Sequence, residues 1–173
     1  PDAAFLFSVN NERGLTEVDV CALCDISRSS KSASDGKTIG YKGIGWKSVF
    51  CVSDTPHVLS HGWRFRFNAR GLGMLTPEWV EDAAYRALPE EVREAHCEGS
   101  TVVYLPLRDL QALPGIEAEM TAMAADPAQL LFLRRLREVR LCGQSGAVRL
   151  AAPADGQGES RTATVREEEG GEE

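Results

Sequence analysis

The most informative stretch of the sequence is Ile39-Gly40-Tyr41-Lys42-Gly43-Ile44-Gly45-Trp46-Lys47-Ser48. Its three glycines fall within six residues, so the backbone can turn tightly there and approach a ligand closely. Successive backbone N–H groups in such a turn, next to a helix N-terminus, form a cradle for phosphate. Lys42 and Lys47 add positive charge. The stretch therefore predicts a phosphate-binding loop, and a glycine-rich connector without a ligand is the alternative.

Two common nucleotide motifs do not match this stretch. Gly40 and Gly45 have the spacing of the Walker A pattern G-x-x-x-x-G-K-[ST], but Trp46 stands before Lys47-Ser48. That one extra residue moves the lysine and the magnesium-binding hydroxyl out of register. The dinucleotide pattern G-x-G-x-x-G is reversed here, because the chain has G-x-x-G-x-G. A phosphate-binding loop at this position therefore belongs to neither the Walker A class nor the dinucleotide-binding class.

Length and composition indicate an ordinary globular chain. It has 173 residues, 43% hydrophobic and 26% charged, which excludes collagen, coiled coil and wholesale disorder. No apolar run approaches the roughly 20 residues of a membrane-spanning helix, and no basic-then-apolar signal peptide opens the chain. We expect an intracellular protein, cytoplasmic or nuclear, with no membrane partner. Because the chain begins at Pro1 rather than Met, we interpret it as a piece of something longer.

The charge is unevenly distributed along the chain. The net charge is −7, and the stretch 159–173 alone contributes six acidic and two basic residues. No strongly basic surface is predicted, so we expect no nucleic-acid partner. From residue 151 onward Ala, Pro, Gly and Glu dominate, a composition typical of disorder. We therefore predict a domain over 1–150 and an acidic, Gly-rich disordered tail over 151–173.

The cysteines predict reduced, buried thiols. There are five: Cys21, Cys24, Cys51, Cys97 and Cys142. An odd number without a secretory signal is typical of intracellular thiols. The single C-x-x-C has no second C-x-x-C and no H-x-x-x-H to complete a zinc site. Redox or metal chemistry at this motif is the alternative to simple burial.

Hydrophobic periodicity and capping signals predict mixed helices and strands. Strands are predicted at Phe5–Val9, Val58–Leu59, Trp63–Phe67, Thr101–Leu107 and Val148–Leu150, with a hairpin through His61-Gly62. Helices are predicted from the Thr16/Asp19 capping box to about Ile26, at Pro77–Leu88 after an N-cap at Thr76, at Glu90–His96, and from Asp126 to about Val139. The segment Trp46–Val52 is helical or extended. Because helices and strands do not strictly alternate along the chain, the predicted fold class is α+β.

Several motifs, taken in order, carry a family resemblance. Asn10-Asn11-Glu12-Arg13-Gly14-Leu15 stands where one family has D-x-G-x-G-M. Ser29-Ser30-Lys31 resembles its S-G-T-K, Ile39–Trp46 its I-G-x-F-G-x-G-F, and Ser100–Arg108 its Thr-led strand. From Asn10 to Leu107 the chain thus resembles the Bergerat (GHKL) ATP-binding fold of the ninety-kilodalton heat-shock chaperone, MutL, gyrase and histidine kinases. Within it, the Sacsin/NO VEIN-type domain is the most similar, and Val52–Pro56, Ser60–Trp63 and Leu131–Leu136 are also typical of that group.

The resemblance implies a two-layer α/β sandwich that binds ATP. The sheet is mostly antiparallel, helices cover one face, and ATP lies between the layers under a mobile lid. The residues implied to bind nucleotide are Asn10, Asn11 and Gly14 at the base, Ser29, Ser30 and Lys31 at the start of the lid, Gly40, Tyr41, Lys42, Gly43, Ile44 and Gly45 at the phosphates, and Thr101 near the adenine. The implied function is an ATP-binding module of a larger protein, a nucleotide-controlled switch with a chaperone-like role. A degenerate fold that serves as a protein-interaction scaffold without nucleotide is the alternative.

The departures from the family concern the adenine contact and catalysis. Asn10 aligns with the adenine-binding Asp, and Glu12 replaces the first motif glycine, which is itself a trait of the NO VEIN-like group. Asn10 or Asn11 can accept a hydrogen bond from the adenine amino group through the amide oxygen, but without the charge-assisted strength of a carboxylate. The family's helix with a catalytic Glu and a Mg²⁺-binding Asn has no counterpart before Asn10. The resemblance therefore implies Mg-ATP as cofactor, no catalytic residue in this chain, and no ATPase activity of the chain alone. ATP hydrolysis by the full-length protein is an alternative that stays open. The other partners are unidentified client proteins or other domains of the same protein.

Overall fold

The computed structural model describes residues 4–25, 45–96, 100–126, 138–143, 146–151 and 164–168, with side chains described up to residue 143. The chain divides into two compact units, Pro1–Leu110 and Gln111–Glu173. The second unit begins inside the stretch 1–150 that the sequence assigns to one ATP-binding domain. That domain assignment stays a prediction.

The first unit is built on a five-stranded antiparallel sheet. Its strands are β1 (Phe5–Asn10), β2 (His57–Ser60), β3 (Trp63–Arg66), β4 (Glu78–Trp79) and β5 (Thr101–Pro106), in the order β1-β5-β2-β3-β4. Its helices are α1 (Glu17–Cys24), α2 (Asp82–Arg86) and α3 (Glu90–Ala95), with 3₁₀ helices at Trp46–Cys51 and Gly71–Met74. The predicted α+β class is confirmed, and the arrangement is consistent with a two-layer α/β sandwich.

The core of this unit lies on both faces of the sheet, because neighbouring strand residues point to opposite faces. On one face, the Phe67 cluster joins Phe50, Val58, Phe65 and Phe67, with α1 and the first 3₁₀ helix packed against it. On the other face, the Val102 cluster joins Leu59, Val92, Val102 and Tyr104, so α3 packs there through Val92. The short helix α2 also contributes to this face, since Tyr85 packs against the Val102 cluster.

The hairpin β2–β3 confirms the sequence pattern. Ser60 pairs with Trp63, which leaves His61 and Gly62 as a two-residue turn. His61 has φ 52°, in the left-handed region that a non-glycine residue rarely adopts. Phe65 is buried and Arg66 is exposed, as the alternation of apolar and charged residues predicts.

The predicted capping box at the start of α1 is also confirmed. The Thr16 hydroxyl accepts the Asp19 N–H at 3.3 Å, and the Asp19 carboxylate accepts the Thr16 N–H at 3.0 Å. The helix ends at Cys24, earlier than the predicted Ile26, because Asp25 has extended backbone angles.

The predicted helix Pro77–Leu88 is wrong over its first half. Glu78–Trp79 instead forms β4, which pairs with β3, and the Val80 N–H extends this pairing to the Arg64 carbonyl at 2.9 Å. Thr76 is not an N-cap, since its hydroxyl donates to the Leu72 carbonyl. Pairing with β3 therefore outweighs the local helical signal, and only Asp82–Arg86 is helical.

The second unit contains the helix α4 (Leu113–Ala125) and a three-stranded antiparallel sheet. Its strands are β6 (Glu138–Gly143), β7 (Gly146–Ala151) and β8 (Thr164–Glu168), in the order β6-β7-β8.

Two expectations for this unit need correction. Asp126 is the C-cap of α4 rather than the start of a helix, and the predicted end at Val139 lies within β6. Residues 127–137, which the predicted helix also covers, lie outside the described part of the chain. The predicted strand Val148–Leu150 is part of β7, and Thr164–Glu168 is a strand where the composition predicts disorder.

The prediction of buried cysteines is wrong for most of the thiols described. Cys21, Cys51 and Cys142 are exposed, and Cys24 is half-buried, while Cys97 lies outside the described residues. The reason is that α1 buries no residue completely, so its last turn leaves the C-x-x-C pair near solvent. Within the described ranges, no cluster of three or more His, Cys, Asp or Glu side chains could hold a metal ion. In the same ranges, no helix is long and apolar enough to cross a membrane.

The Val102 cluster predicts a large effect of truncation at Leu59. This side chain is 0% exposed, so Leu59→Ala leaves a cavity and should lower the free energy of unfolding by about 2–5 kcal/mol. Leu72→Ala is the matched control, because Leu72 is 74% exposed and its truncation should change stability by less than about 0.5 kcal/mol. Urea unfolding followed by circular dichroism measures both. Equal effects of the two variants would contradict the assigned core.

The buried His57 predicts acid sensitivity. Burial lowers its pKa from 6.5 to about 4, against the opposing hydrogen bond with the Thr55 carbonyl, and Arg66 lowers it further. The unfolded chain therefore binds more protons than the folded one between about pH 4 and 6.5, so stability should fall as pH drops through this window. His57→Gln removes this titration. Unfolding in urea at pH 7, 5.5 and 4.5 should show a steeper loss in the parent than in the variant, and parallel losses would disprove the role of His57.

Candidate functional site

Three polar side chains form a row across one end of the sheet in the first unit. Asn10 pairs with Thr101 between β1 and β5, and Thr101 pairs with Ser60 between β5 and β2. Residues directly opposite each other share a face, and Ser60 shares its face with Val58 of the Phe67 cluster. This polar row, Asn10–Thr101–Ser60, therefore lies on the face covered by α1. Ser60 and Thr101 are 0% and 4% exposed, whereas Asn10 is open to solvent.

Hydrogen bonds hold the buried part of the polar row. Ser60 Oγ accepts the backbone N–H of Leu15 at 2.9 Å, and Ser60 Oγ and Thr101 Oγ1 are 2.7 Å apart. The pair has two hydroxyl protons and one shared hydrogen bond. One hydroxyl proton is therefore left without an acceptor among the described residues. Since Thr101 is next to the exposed Asn10, its hydroxyl is the better placed of the two to contact a ligand.

The turn before α1 is fixed against the hairpin by two unusual backbone positions. Gly14 is buried and has φ 81°, and His61 in the hairpin turn has φ 52°. A methyl group at residue 14 would overlap the His61 ring. Glycine fits both the left-handed angle and the close ring. The next residue, Leu15, donates its N–H to Ser60 Oγ.

The structure brings together only part of the predicted nucleotide site. Asn10 and Thr101 meet in the polar row, Asn11 follows as an exposed residue, and Gly14 lies against His61. Gly45 is exposed and precedes the first 3₁₀ helix, with open space where a side chain would be. The other predicted residues, namely Ser29, Ser30, Lys31, Gly40, Tyr41, Lys42, Gly43 and Ile44, lie outside the described residues.

Lys47 does not supply the free positive charge that the sequence suggests. Its ammonium donates to the Leu23 carbonyl at 2.8 Å and to the Met74 carbonyl at 2.6 Å, and lies 5.3 Å from the centre of the Phe67 ring. Burial lowers the pKa of Lys47, and the nearby Cys24 and Asp25 act in the opposite direction. The side chain thus ties the end of α1 to the second 3₁₀ helix.

Asp54, an acidic residue in the stretch Val52–Pro56, forms an ion pair with Arg108. Its carboxylate accepts a hydrogen bond from Arg108 Nε at 2.7 Å, and Arg108 Nη2 donates to the Phe50 carbonyl at 2.9 Å. This ion pair joins the residues after β5 to the end of the first 3₁₀ helix. Asp54 thus makes a structural contact between these two segments.

Sequence reasoning did not identify Ser60, His61 or the Leu15 N–H as parts of the site. One signal was available, because Ser60 is a polar residue two positions after Val58, directly after the predicted strand Val58–Leu59. Strand alternation places it on the apolar face. Its pairing with Thr101 could not be found in this way, since β2 and β5 join residues far apart in the sequence.

The fold and the polar row define an α+β domain with a small, partly buried polar site on the helix-covered face of its sheet. No protein-family model matches the chain. Among known proteins, the chain is similar to Protein NO VEIN of Arabidopsis thaliana, with 36% identity over 138 residues. The match covers 75% of this chain and 5% of the length of that protein. This similarity supports a NO VEIN-like family for the chain, and the wider GHKL assignment stays a prediction.

The contact between Gly14 and His61 predicts a strong coupling of two substitutions. Gly14→Ala should be destabilising, because it combines a left-handed angle, which costs about 1–2 kcal/mol for a side-chain residue, with overlap of the imidazole ring. Adding His61→Gly removes the ring and should recover the overlap part only. Denaturant unfolding of both single variants and the double variant measures this coupling. Simple additivity would contradict the contact.

Proposed function

We propose that the chain is an ATP-binding module of a larger NO VEIN-like protein, in which nucleotide binding controls conformation in a chaperone-like role. The observation that carries the proposal is the polar row. It brings Asn10 and Thr101, two residues implied to bind the base, side by side in the sheet. Trp63 lies opposite Ser60 on the same face and adds an aromatic side chain beside the row.

The chemistry of the polar row suits adenine. The base presents an amino group that donates and ring nitrogens that accept. The Asn10 amide oxygen can accept from the amino group, and the Thr101 hydroxyl can donate to a ring nitrogen. In this proposal the glycine-rich stretch Gly40–Gly45 holds the triphosphate, and Mg²⁺ accompanies it.

Protein interaction without nucleotide is the second candidate function, and two contacts favour it. The His61 ring fills the space beside Gly14, and the Lys47 ammonium is committed to two carbonyl oxygens. Both contacts reduce the room and the charge offered to a ligand. In either case the partners are client proteins or other domains of the larger protein, in the cytoplasm or nucleus.

Calorimetric titration of the 173-residue chain with Mg-ATP tests the proposal. We expect a Kd between micromolar and millimolar, or roughly −8 to −4 kcal/mol. Thr101→Val removes the hydroxyl and should weaken binding about tenfold, the effect of losing one hydrogen bond of about 1.4 kcal/mol. Gly43→Val should weaken binding as well, because a β-branched side chain blocks close approach of the backbone to phosphate.

Thr76→Val is the matched control, since Thr76 is an exposed threonine that bonds to Leu72 outside the polar row. It should bind ATP as the parent does. If Thr101→Val and Gly43→Val stay folded and also bind like the parent, the assigned site is wrong. A folded parent chain that binds no ATP would favour the interaction scaffold.

A further inference from the structure

We propose that the site accepts 6-oxo purine nucleotides as well as 6-amino ones, so that its ligand class is purine nucleoside triphosphates rather than ATP alone. This inference rests on the proposed function. It follows from the hydrogen-bonding character of the polar row, in which no group has a fixed polarity.

Each side chain of the row can both donate and accept. The Asn10 amide has a carbonyl oxygen and an NH₂ group, and rotation by half a turn exchanges them. Asn10 is exposed at the end of β1, so its side chain has room to rotate. It can accept from the 6-amino group of adenine in one orientation, and donate to a 6-oxo group in the other.

The hydroxyl pair is equally permissive. A hydroxyl has one proton and two lone pairs, and the Ser60–Thr101 bond uses only one of these positions on Thr101. Thr101 can therefore donate to the unprotonated N1 of adenine, or accept from the N1–H of a 6-oxo purine. The Leu15 N–H lies beside the polar row and can only donate, but it is already bonded to Ser60 and therefore does not affect the choice between the two bases.

Strong discrimination between ligands needs a polar group that the wrong ligand leaves unpaired. A carboxylate would be such a group, because an ionised carboxylate only accepts and would face the 6-oxo oxygen without a proton between them. The polar row contains no carboxylate, ammonium or guanidinium. Both purine types can thus satisfy every group in it.

Competitive and direct titrations with ATP and ITP test the inference, because the base of ITP is a 6-oxo purine that lacks the additional 2-amino group of guanine. For the native chain we expect Kd values for Mg-ATP and Mg-ITP within about threefold of each other. Asn10→Asp should weaken ITP at least about tenfold relative to ATP, the cost of one unpaired polar group.

Asn68→Asp is the matched control. It adds the same charge outside the polar row, and the new carboxylate can still accept the Arg70 N–H that Asn68 Oδ1 accepts at 2.9 Å, so the variant should keep the native ATP-to-ITP ratio. Far-UV circular dichroism and thermal unfolding confirm that each variant is folded.

The possible failures are distinguishable. A native chain that binds ATP more than about tenfold tighter than ITP would overturn the relaxed selectivity and leave the proposed function standing. An unchanged ratio in Asn10→Asp would also overturn the inference, since Asn10 would not read the 6-position. If the folded native chain binds neither nucleotide, the proposed function itself fails.

Discussion

The pairing of β5 with both β1 and β2 is the constraint on which the first unit depends. β5 is the last of the five strands in the chain, yet it lies between the first two in the sheet. Without it, β1 has no partner among the described strands, and the β2–β3 hairpin has no link to β1. Its burial agrees with this central position, because Thr101, Val102, Tyr104 and Leu105 are all buried. Contacts of such large sequence separation are expected to make folding slow.

The same strand creates the candidate site. Asn10 and Ser60 lie on strands that do not pair with each other, and Thr101 is the residue that joins them. The polar row is therefore a product of the strand order. The Phe67 cluster lies on the same face of the sheet as the polar row. α1 packs against this cluster and follows the turn from which Leu15 donates to Ser60. Lys47 adds a second attachment by tying the end of α1 to the second 3₁₀ helix.

Local features of the fold could be predicted from the sequence because their signals are local. The capping box of Thr16 and Asp19 needs only four residues, and the β2–β3 hairpin follows from alternation around His61-Gly62. The helix predicted at Pro77–Leu88 failed because Glu78 and Trp79 pair with β3, a tertiary contact with no local signal. α4 was missed because Pro114 and Gly115 stand at its start, although proline is tolerated in the first turn of a helix.

The candidate site was predictable only in part, and for a related reason. Asn10, Gly14 and Thr101 were proposed from a resemblance, and their meeting point depends on pairings that no spacing in the sequence reveals. The charge expected from Lys47 is directed elsewhere, because its ammonium donates to the carbonyl oxygens of Leu23 and Met74. For Ser60, alternation after Val58 indicates the face of the sheet on which it lies. Its hydrogen bonds with Leu15 and Thr101 could not be predicted from the sequence.

The close contact of Gly14 with His61 has an evolutionary consequence. A change at residue 14 to anything larger than glycine meets the imidazole ring, so the two positions are coupled although they lie far apart in the sequence. A side chain at residue 14 costs less on a background in which residue 61 has already lost its ring. Among relatives of this chain, these two columns of a sequence alignment should therefore change together, and the order of their changes should follow this dependence.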